Sequence, residues 1–346
     1  MHPPEKLTFA VIGAGFWSRF QVPGWLESNA VELVAVCDHD LGKARDLAER
    51  FGCPRAYSSV EELLDSEKLD FVDIIAGVDT HLPLALQAIN RGVDVVCQKP
   101  LAESFRSARR MVEAAEAKGT RLFANENFRW QAQLRRVREI LDSNLIGSVF
   151  KTRISFCSSF PVFENQPSLA ELEHFIIADV GSHVLDVCRF LLGEAKSVYC
   201  QTLSVTPGIK GEDVANIFLE MESGGHCFVE MSYASILREE VFPQTLILLE
   251  GEKGSIELGA NFEIQVATRE GVSWEKVEPK IYPWADKDYA VLHSSVVDTQ
   301  ANILKGLQGL AAETTGIDNL ETVRLVWASY ESAKSHRVVE LASFEG

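Results

Sequence analysis

Apolar and polar positions divide the chain into two stretches with different rhythms. Leu7–Ile12, Val31–Cys37, Phe71–Ala76, Val93–Cys97 and Leu122–Asn125 are short, apolar, β-branched-rich runs that predict strands. Helical periodicity fills the gaps between them. Leu41–Phe51 sets Leu41, Ala44, Leu47, Ala48 and Phe51 on one face and stops at Gly52. Further helices are expected over Ser59–Leu64, over His81–Asn90 before Gly92, and over Ser104–Lys118 before Gly119. Strands alternating with helices at this spacing imply right-handed crossovers and a doubly wound parallel sheet, in an α/β domain covering residues 1–126.

After an expected helix at Phe128–Leu141 the rhythm changes. Lys151–Ser158, Ser197–Val205, Val214–Glu222, His226–Ser232 and Leu246–Leu258 read as strands, with turn signals at residues 223–225 and 251–254. Strands without intervening helices imply a large, mostly antiparallel sheet, so residues 127–346 form an α+β domain. A strong helix, Ala178–Leu192, interrupts the strands, and the tail predicts helices near Val296–Leu310 and Leu320–Ser335.

With 46% hydrophobic and 24% charged residues the composition is that of a globular protein. A net charge of −17 repels a phosphate backbone, and the arginines at 106, 109, 110, 135, 136 and 138 interleave with apolar helical positions as solvated faces do, so no nucleic-acid partner is expected. Seven scattered cysteines, never in a C-x-x-C pair, argue for a reducing compartment and against a disulfide frame or a metal site. The opening Met-His-Pro-Pro-Glu-Lys has no signal-peptide core, and no 18-residue apolar stretch occurs, so a cytoplasmic protein with no membrane association is expected.

Candidate chemistry gathers in four places. In Gly13-Ala-Gly15-Phe16-Trp17-Ser18, between a strand and a helix, Gly13 permits a tight turn and Gly15 lets backbone approach a pyrophosphate at the helix N-terminus. Asp38 closes the next strand twenty residues beyond Ser18, where an acid binds both hydroxyls of a ribose and repels a 2′-phosphate, favouring NAD over NADP. Lys99, in Cys97-Gln98-Lys99-Pro100, stands at the carboxyl end of a strand, the edge where open α/β sheets bind ligands. On Ala178–Leu192, Asp179, His183 and Asp186 fall within about 60° of one another at 100° per residue, apart from an apolar stripe of Val180, Val184, Val187 and Leu191. A carboxylate one turn from an imidazole can orient it as a general base. Where the first domain hands over to the second, Arg129 in Asn125-Glu-Asn-Phe-Arg-Trp130 suits either a polyhydroxy or carboxylate substrate or a hinge ion pair.

Gly13-x-Gly15, Asp38, His81, Gln98-Lys99-Pro100, Asn127-Phe-Arg-Trp130 and Asp179-x3-His183 together resemble the glucose–fructose oxidoreductase / inositol dehydrogenase (Gfo/Idh/MocA) family along nearly the whole chain. The resemblance implies an N-terminal Rossmann domain, a C-terminal sheet that builds homodimers or homotetramers, and an NAD-dependent dehydrogenase of a small sugar or polyol. An aldose oxidised at the anomeric carbon to a lactone is one such substrate, a pentose such as apiose among them. It further implies that Gly13, Gly15, Phe16, Trp17, Asp38, Gly77, His81, Gln98 and Lys99 contact the cofactor, and that Asn127, Arg129, Phe160, Asp179 and His183 contact substrate. Lys99 then donates to the reacting hydroxyl, and His183, partnered by Asp179, takes its proton as hydride passes to nicotinamide C4. Phe163, Glu164 and His174 share a loop with Phe160 that is expected to set specificity. Two departures are visible: the family's Glu-Lys-Pro is Gln98-Lys99-Pro100, and its Thr-Pro-x after the strand is Ala76-Gly77-Val78. An NAD-retaining lyase or isomerase of the same family, and a sensor without turnover, are the alternatives.

Overall fold

The computed structural model describes residues 6–346, so the segment Met1–Glu5 lies outside the described residues. The chain divides into two compact units, residues 6–127 with 281–323, and residues 128–280 with 324–346.

The first unit carries a six-stranded parallel sheet in the order β3-β2-β1-β4-β5-β6. Its strands are β1 (Leu7–Ile12), β2 (Val31–Cys37), β3 (Ala56–Tyr57), β4 (Phe71–Ile74), β5 (Asp94–Gln98) and β6 (Leu122–Asn125). Between them run α1 (Ser18–Leu26), α2 (Leu41–Arg50), α3 (Val60–Ser66), α4 (Val78–Asn90) and α5 (Phe105–Lys118). The helix starts follow side-chain chemistry: Asp40, Ser59 and Ser104 each accept a hydrogen bond from an N–H of the first turn of α2, α3 and α5. Gly119, in the left-handed region at φ 68°, ends α5. Helices on both faces bury residues 9–12 of β1 and all of β4, which is why these strands are mostly apolar.

The second unit is built on a nine-stranded sheet in the order β14-β13-β12-β11-β7-β10-β9-β8-β15. In chain order these are β7 (Val149–Cys157), β8 (Ala195–Leu203), β9 (Val214–Met221), β10 (His226–Ser232), β11 (Leu246–Gly251), β12 (Gly254–Leu258), β13 (Glu263–Thr268), β14 (Gly271–Lys276) and β15 (Val339–Glu340). Among the described strands β7 and β10 run parallel, and the other neighbours are antiparallel. Helices α6 (Ala132–Asp142) and α8 (Ser182–Leu192) pack on one face of this sheet, and α7 (Val162–Asn165) is a short turn in the loop after β7.

Two expected helices are broken. Phe128–Trp130 is a separate 3-10 turn, divided from α6 by Gln131 in extended conformation. Ala178–Leu192 opens as a π-helical turn, Ile177–Gly181, before the α-helix begins at Ser182. In the tail, α9 (Ala290–Leu307) belongs to the first unit, while α10 (Gly316–Ser335) begins in the first unit and continues in the second. Close approach explains the return of α9: a Cβ on Gly24 of α1 would stand 2.3 Å from Gln300 Oε1, and one on Gly306 would stand 2.5 Å from the Phe123 ring.

Candidate active site

The carboxyl edge of the parallel sheet collects the first group of residues. Gly13 leaves β1 at φ +107°, and a Cβ there would lie 2.2 Å from the Ile75 carbonyl oxygen, so no other residue fits. A Cβ at Gly15 would meet nothing within 4 Å, so backbone at this position faces open space of the kind a pyrophosphate occupies. Ser18, standing where a third glycine is usual, donates its hydroxyl to the Gly15 carbonyl at 2.7 Å and closes the turn. Asp38 follows the last residue of β2, its carboxylate accepting from the Ala14 N–H at 2.8 Å and the Asp40 N–H at 2.9 Å. Those two bonds fix the acid beside the glycine turn, and the pair fits a dinucleotide with a free ribose diol.

Phe16 and Trp17 enter an aromatic cluster at the start of α9. Phe16 edges on Phe20 and Tyr289, and Trp17 stands edge-on to His293 at 4.8 Å. Trp17 Nε1 and His293 Nε2 are buried without a hydrogen-bond partner among the described residues. His293 was not visible as a site residue in the sequence, because nothing local distinguishes it from the other core positions of α9.

At β4 and β5 the structure gives two expected cofactor contacts different work. The His81 ring is buried, its Nδ1 lying 3.0 Å from the Pro100 carbonyl and its Nε2 3.1 Å from the Ala76 carbonyl. Burial holds its pKa below the ordinary histidine value against the pull of those carbonyls. His81 therefore ties the loop after β4 to the loop after β5. Gln98 is also buried, and its side chain turns inward to Gln21 and back to the Lys99 N–H. Lys99 follows directly, joined to Pro100 through a cis peptide. Gly77 caps α4 with its backbone, accepting at its carbonyl from the Thr80 hydroxyl at 2.6 Å.

Asn127, expected at the substrate, directs its amide nitrogen to the Leu292 carbonyl at 2.8 Å and the Ser295 hydroxyl at 2.7 Å, both on α9. These two bonds tie the Asn127 amide nitrogen to α9.

The second unit carries the other group. His183, on the first turn of α8, is buried and lies face to face with Phe128 at 3.9 Å and 7°. Arg129, the next residue after Phe128, makes a bidentate pair with Asp186 one turn further along α8, at 2.6 and 2.5 Å. Both partners are buried, so of the two roles expected for Arg129 the structure shows the ion pair. Asp186 accordingly does not join Asp179 and His183 on an open polar face. Asp179 is half-buried in the π turn, where 100° per residue no longer applies.

Supports for the π turn come from residues that sequence reading passed over. Glu212 accepts from the Ile177 N–H at 3.1 Å and the Phe175 N–H at 3.3 Å. Tyr330, on α10, accepts from the Ala178 N–H at 3.0 Å and donates to Glu212 at 2.8 Å. Phe160 stacks on Phe242 at 3.9 Å, Phe163 packs on Phe175, and His174 stands edge-on to Trp327 and Tyr330.

A parallel sheet with a glycine turn, an acid after its second strand and a lysine at its carboxyl edge is the frame of an NAD-binding oxidoreductase, and the chain's relatives agree. The chain belongs to the GFO/IDH/MocA oxidoreductase family: residues 7–126 match its NAD-binding Rossmann fold and residues 134–257 its C-terminal domain. D-apiose dehydrogenase of Paraburkholderia graminis is 40% identical over 342 residues, 99% of this chain and 91% of the relative. The D-apiose dehydrogenase of Rhizobium rhizogenes is 38% identical over 98% of both chains. An oxidoreductase from Agrobacterium radiobacter, solved in complex with NAD+, L-tartaric acid and magnesium, has a TM-score of 0.95 at 37% identity, covering 98% of this chain and 99% of that one. The protein is an NAD-dependent enzyme of this family.

Proposed function

We propose that the chain oxidises a small aldose, D-apiose or a closely related pentose, at its anomeric carbon. The observation that carries this reading is the 40% identity with a D-apiose dehydrogenase along 99% of the chain. Bound NAD+ supplies the hydride acceptor. The remaining task is removal of one proton from the hydroxyl on the carbon that loses hydride. His183 takes that proton through its imidazole, oriented by its stack on Phe128. Asp179 partners the imidazole or a substrate hydroxyl. The Lys99 ammonium donates to the same oxygen and lowers the energy of the alkoxide as it forms. Asp38 reads the ribose diol, and the backbone of Gly13, Gly15 and Gly77 lines the phosphate path. The second unit recognises the sugar, with Phe160 in its loop, and pairs with a second copy through its sheet. The chain acts in the cytoplasm, where its thiols stay reduced.

The test is absorbance at the NADH band with purified protein and NAD+ across D-apiose, other aldoses and polyols. D-apiose is expected to give the highest kcat/KM. His183→Asn should lower kcat by about 100-fold or more while NAD+ affinity stays within about threefold, the loss expected of a removed general base. Tight NAD+ binding with no reduction by any sugar overturns the reading.

A further inference from the structure

Asp73 is a carboxylate in the middle of β4 with no solvent contact, in a strand whose other members are all apolar and buried. Its two oxygens accept from Gln21 Nε2 at 2.8 Å each, and Oδ2 also accepts from Trp25 Nε1 at 2.8 Å. Gln21 Oε1 in turn accepts from Gln98 Nε2 at 2.6 Å, and Gln98 Oε1 accepts from the backbone N–H of Lys99 at 2.7 Å. Gln300 of α9 donates to the Gln21 carbonyl at 3.0 Å and holds that residue from behind. These side chains come from α1, β4, β5 and α9, all of the first unit.

Every bond in this chain has a forced direction. An indole N–H stands at one end and a peptide N–H at the other, and neither can accept. A line of amides between two fixed donors needs one group that accepts from both sides. Asp73 is that group. Its carboxylate turns Gln21 so that the amide oxygen faces Gln98, which turns Gln98 so that its own oxygen meets Lys99. A carboxylate at residue 98 would instead bring two acceptors together at Gln21 Oε1. The amide at position 98 is therefore required by the acid at position 73.

We propose that Asp73 and Gln21 are positioning residues for Lys99, setting through Gln98 the place of the Lys99 backbone. The proposal rests on the reading of Lys99 as the group that donates to the reacting hydroxyl. It makes a specific prediction about exchange of chemistry along the relay. Asp73→Asn alone leaves an amide nitrogen facing a donor, and Gln98→Glu alone leaves two acceptors facing each other. Together they move the acceptor from one end to the other: Trp25 donates to Asn, Asn to Gln21, Gln21 to Glu, and Glu still accepts from Lys99. Each contact is satisfied again.

The experiment compares wild type, D73N, Q98E and D73N/Q98E in the full chain, on the alkaline side of the Asp73 carboxyl, which burial pushes up to about 7. Four quantities are read: kcat and KM for D-apiose, NAD+ affinity, and hydrogen exchange of the Lys99 amide. Each single variant should speed exchange of that amide and lower kcat, both by about tenfold, as expected when a buried polar contact is mismatched, with KM within about threefold. The double variant should bring exchange and kcat back to within about threefold of wild type. A double variant no better than the worse single variant, or single variants indistinguishable from wild type, overturns the relay. If a single variant does not fold, the double variant decides alone: folded and near wild type supports the relay, and unfolded or slowed more than about tenfold overturns it. If wild type reduces NAD+ with no sugar, the sugar-dehydrogenase reading fails, and the exchange rates of the Lys99 amide still decide the relay.

Discussion

Burial holds the His293 imidazole down at about 4, against the opposing pull of Asp286. The ring stacks on Phe20 at 3.8 Å, and its Nδ1 accepts from the Asp286 N–H at 3.1 Å, which leaves the proton on Nε2. In the unfolded chain the same ring takes a second proton near its ordinary value of 6.5. The unfolded state therefore binds more protons between these values, and stability rises with pH across that window. The contribution is complete above 6.5 and is lost as pH falls toward about 4, with a slope of up to about 1.4 kcal/mol per pH unit. Calorimetry of wild type and His293→Phe across this window should show the wild-type curve falling more steeply on the acid side. Parallel curves would place the acid sensitivity elsewhere. The contrast with Asp38 and Lys99 explains what a sequence can display at this scale. Gly13, Asp38 and Lys99 stand at strand ends with fixed spacing, so their order along the chain announces them. Asp73 and Gln21 meet across 52 positions, inside an apolar run and on a helix, and no local pattern links them. Asp186 was visible as a polar residue of α8, but its neutralisation by Arg129 depends on how the 3-10 turn at Phe128–Trp130 packs.

Element types were legible wherever period and punctuation agreed. Five of the six parallel strands and their helices follow the apolar runs to within a few residues, since Asp40, Ser59, Ser104 and Gly119 mark the boundaries by capping. Strands β3, β13, β14 and β15 were missed: β3 and β15 are two residues long, and β14, the partner of β13, is exposed at nearly every position and has no alternation to read. The π turn was missed for a different reason. Its extra residue per turn carries no sequence signal, and its stability comes from Glu212 and Tyr330, which are remote in the chain. Tyr330→Phe removes the acceptor for the Ala178 N–H and the donor to Glu212 while keeping the ring. The variant is expected to lose about 1–3 kcal/mol in denaturant titration, the usual cost of orphaning a buried polar group. Because the π turn carries Asp179, kcat should fall more than KM rises. Unchanged stability and kcat would mean that Glu212 alone supports the turn.

At the scale of the whole molecule, the large sheet has one covered face and one bare face. Helices α6 and α8 pack against β7, β10 and β12, burying Ile154, Val229, Leu219 and Ile256. The opposite face carries a register-aligned aromatic row, with Tyr199 of β8 opposite Phe218 of β9 and Phe218 opposite Phe228 of β10. Phe218 and Phe228 pack edge to face at 5.0 Å, and Phe228 is still 43% exposed. Arg153 of β7 continues the row opposite Phe228, and Leu248 of β11 follows it. An aromatic stripe in the middle of a wide sheet, flanked by paired charges such as Lys151–Glu250 and Lys196–Glu220, has the composition of an interface core and rim. A second copy would supply a matching surface by two-fold symmetry, since a two-fold axis brings the same patch of each copy together. Sedimentation of the wild-type chain should therefore give a dimer or a multiple of it. Phe228→Glu places a carboxylate in the centre of the stripe, beside Phe218 and across from Arg153, without touching the buried face of β10. It should yield a folded monomer that still binds NAD+, because the glycine turn and Asp38 belong to the other unit. A wild-type monomer would rule out pairing through this face, and an F228E chain that remains dimeric would move the interface to another surface such as the exposed edge strand β14, where Trp274 is 71% exposed.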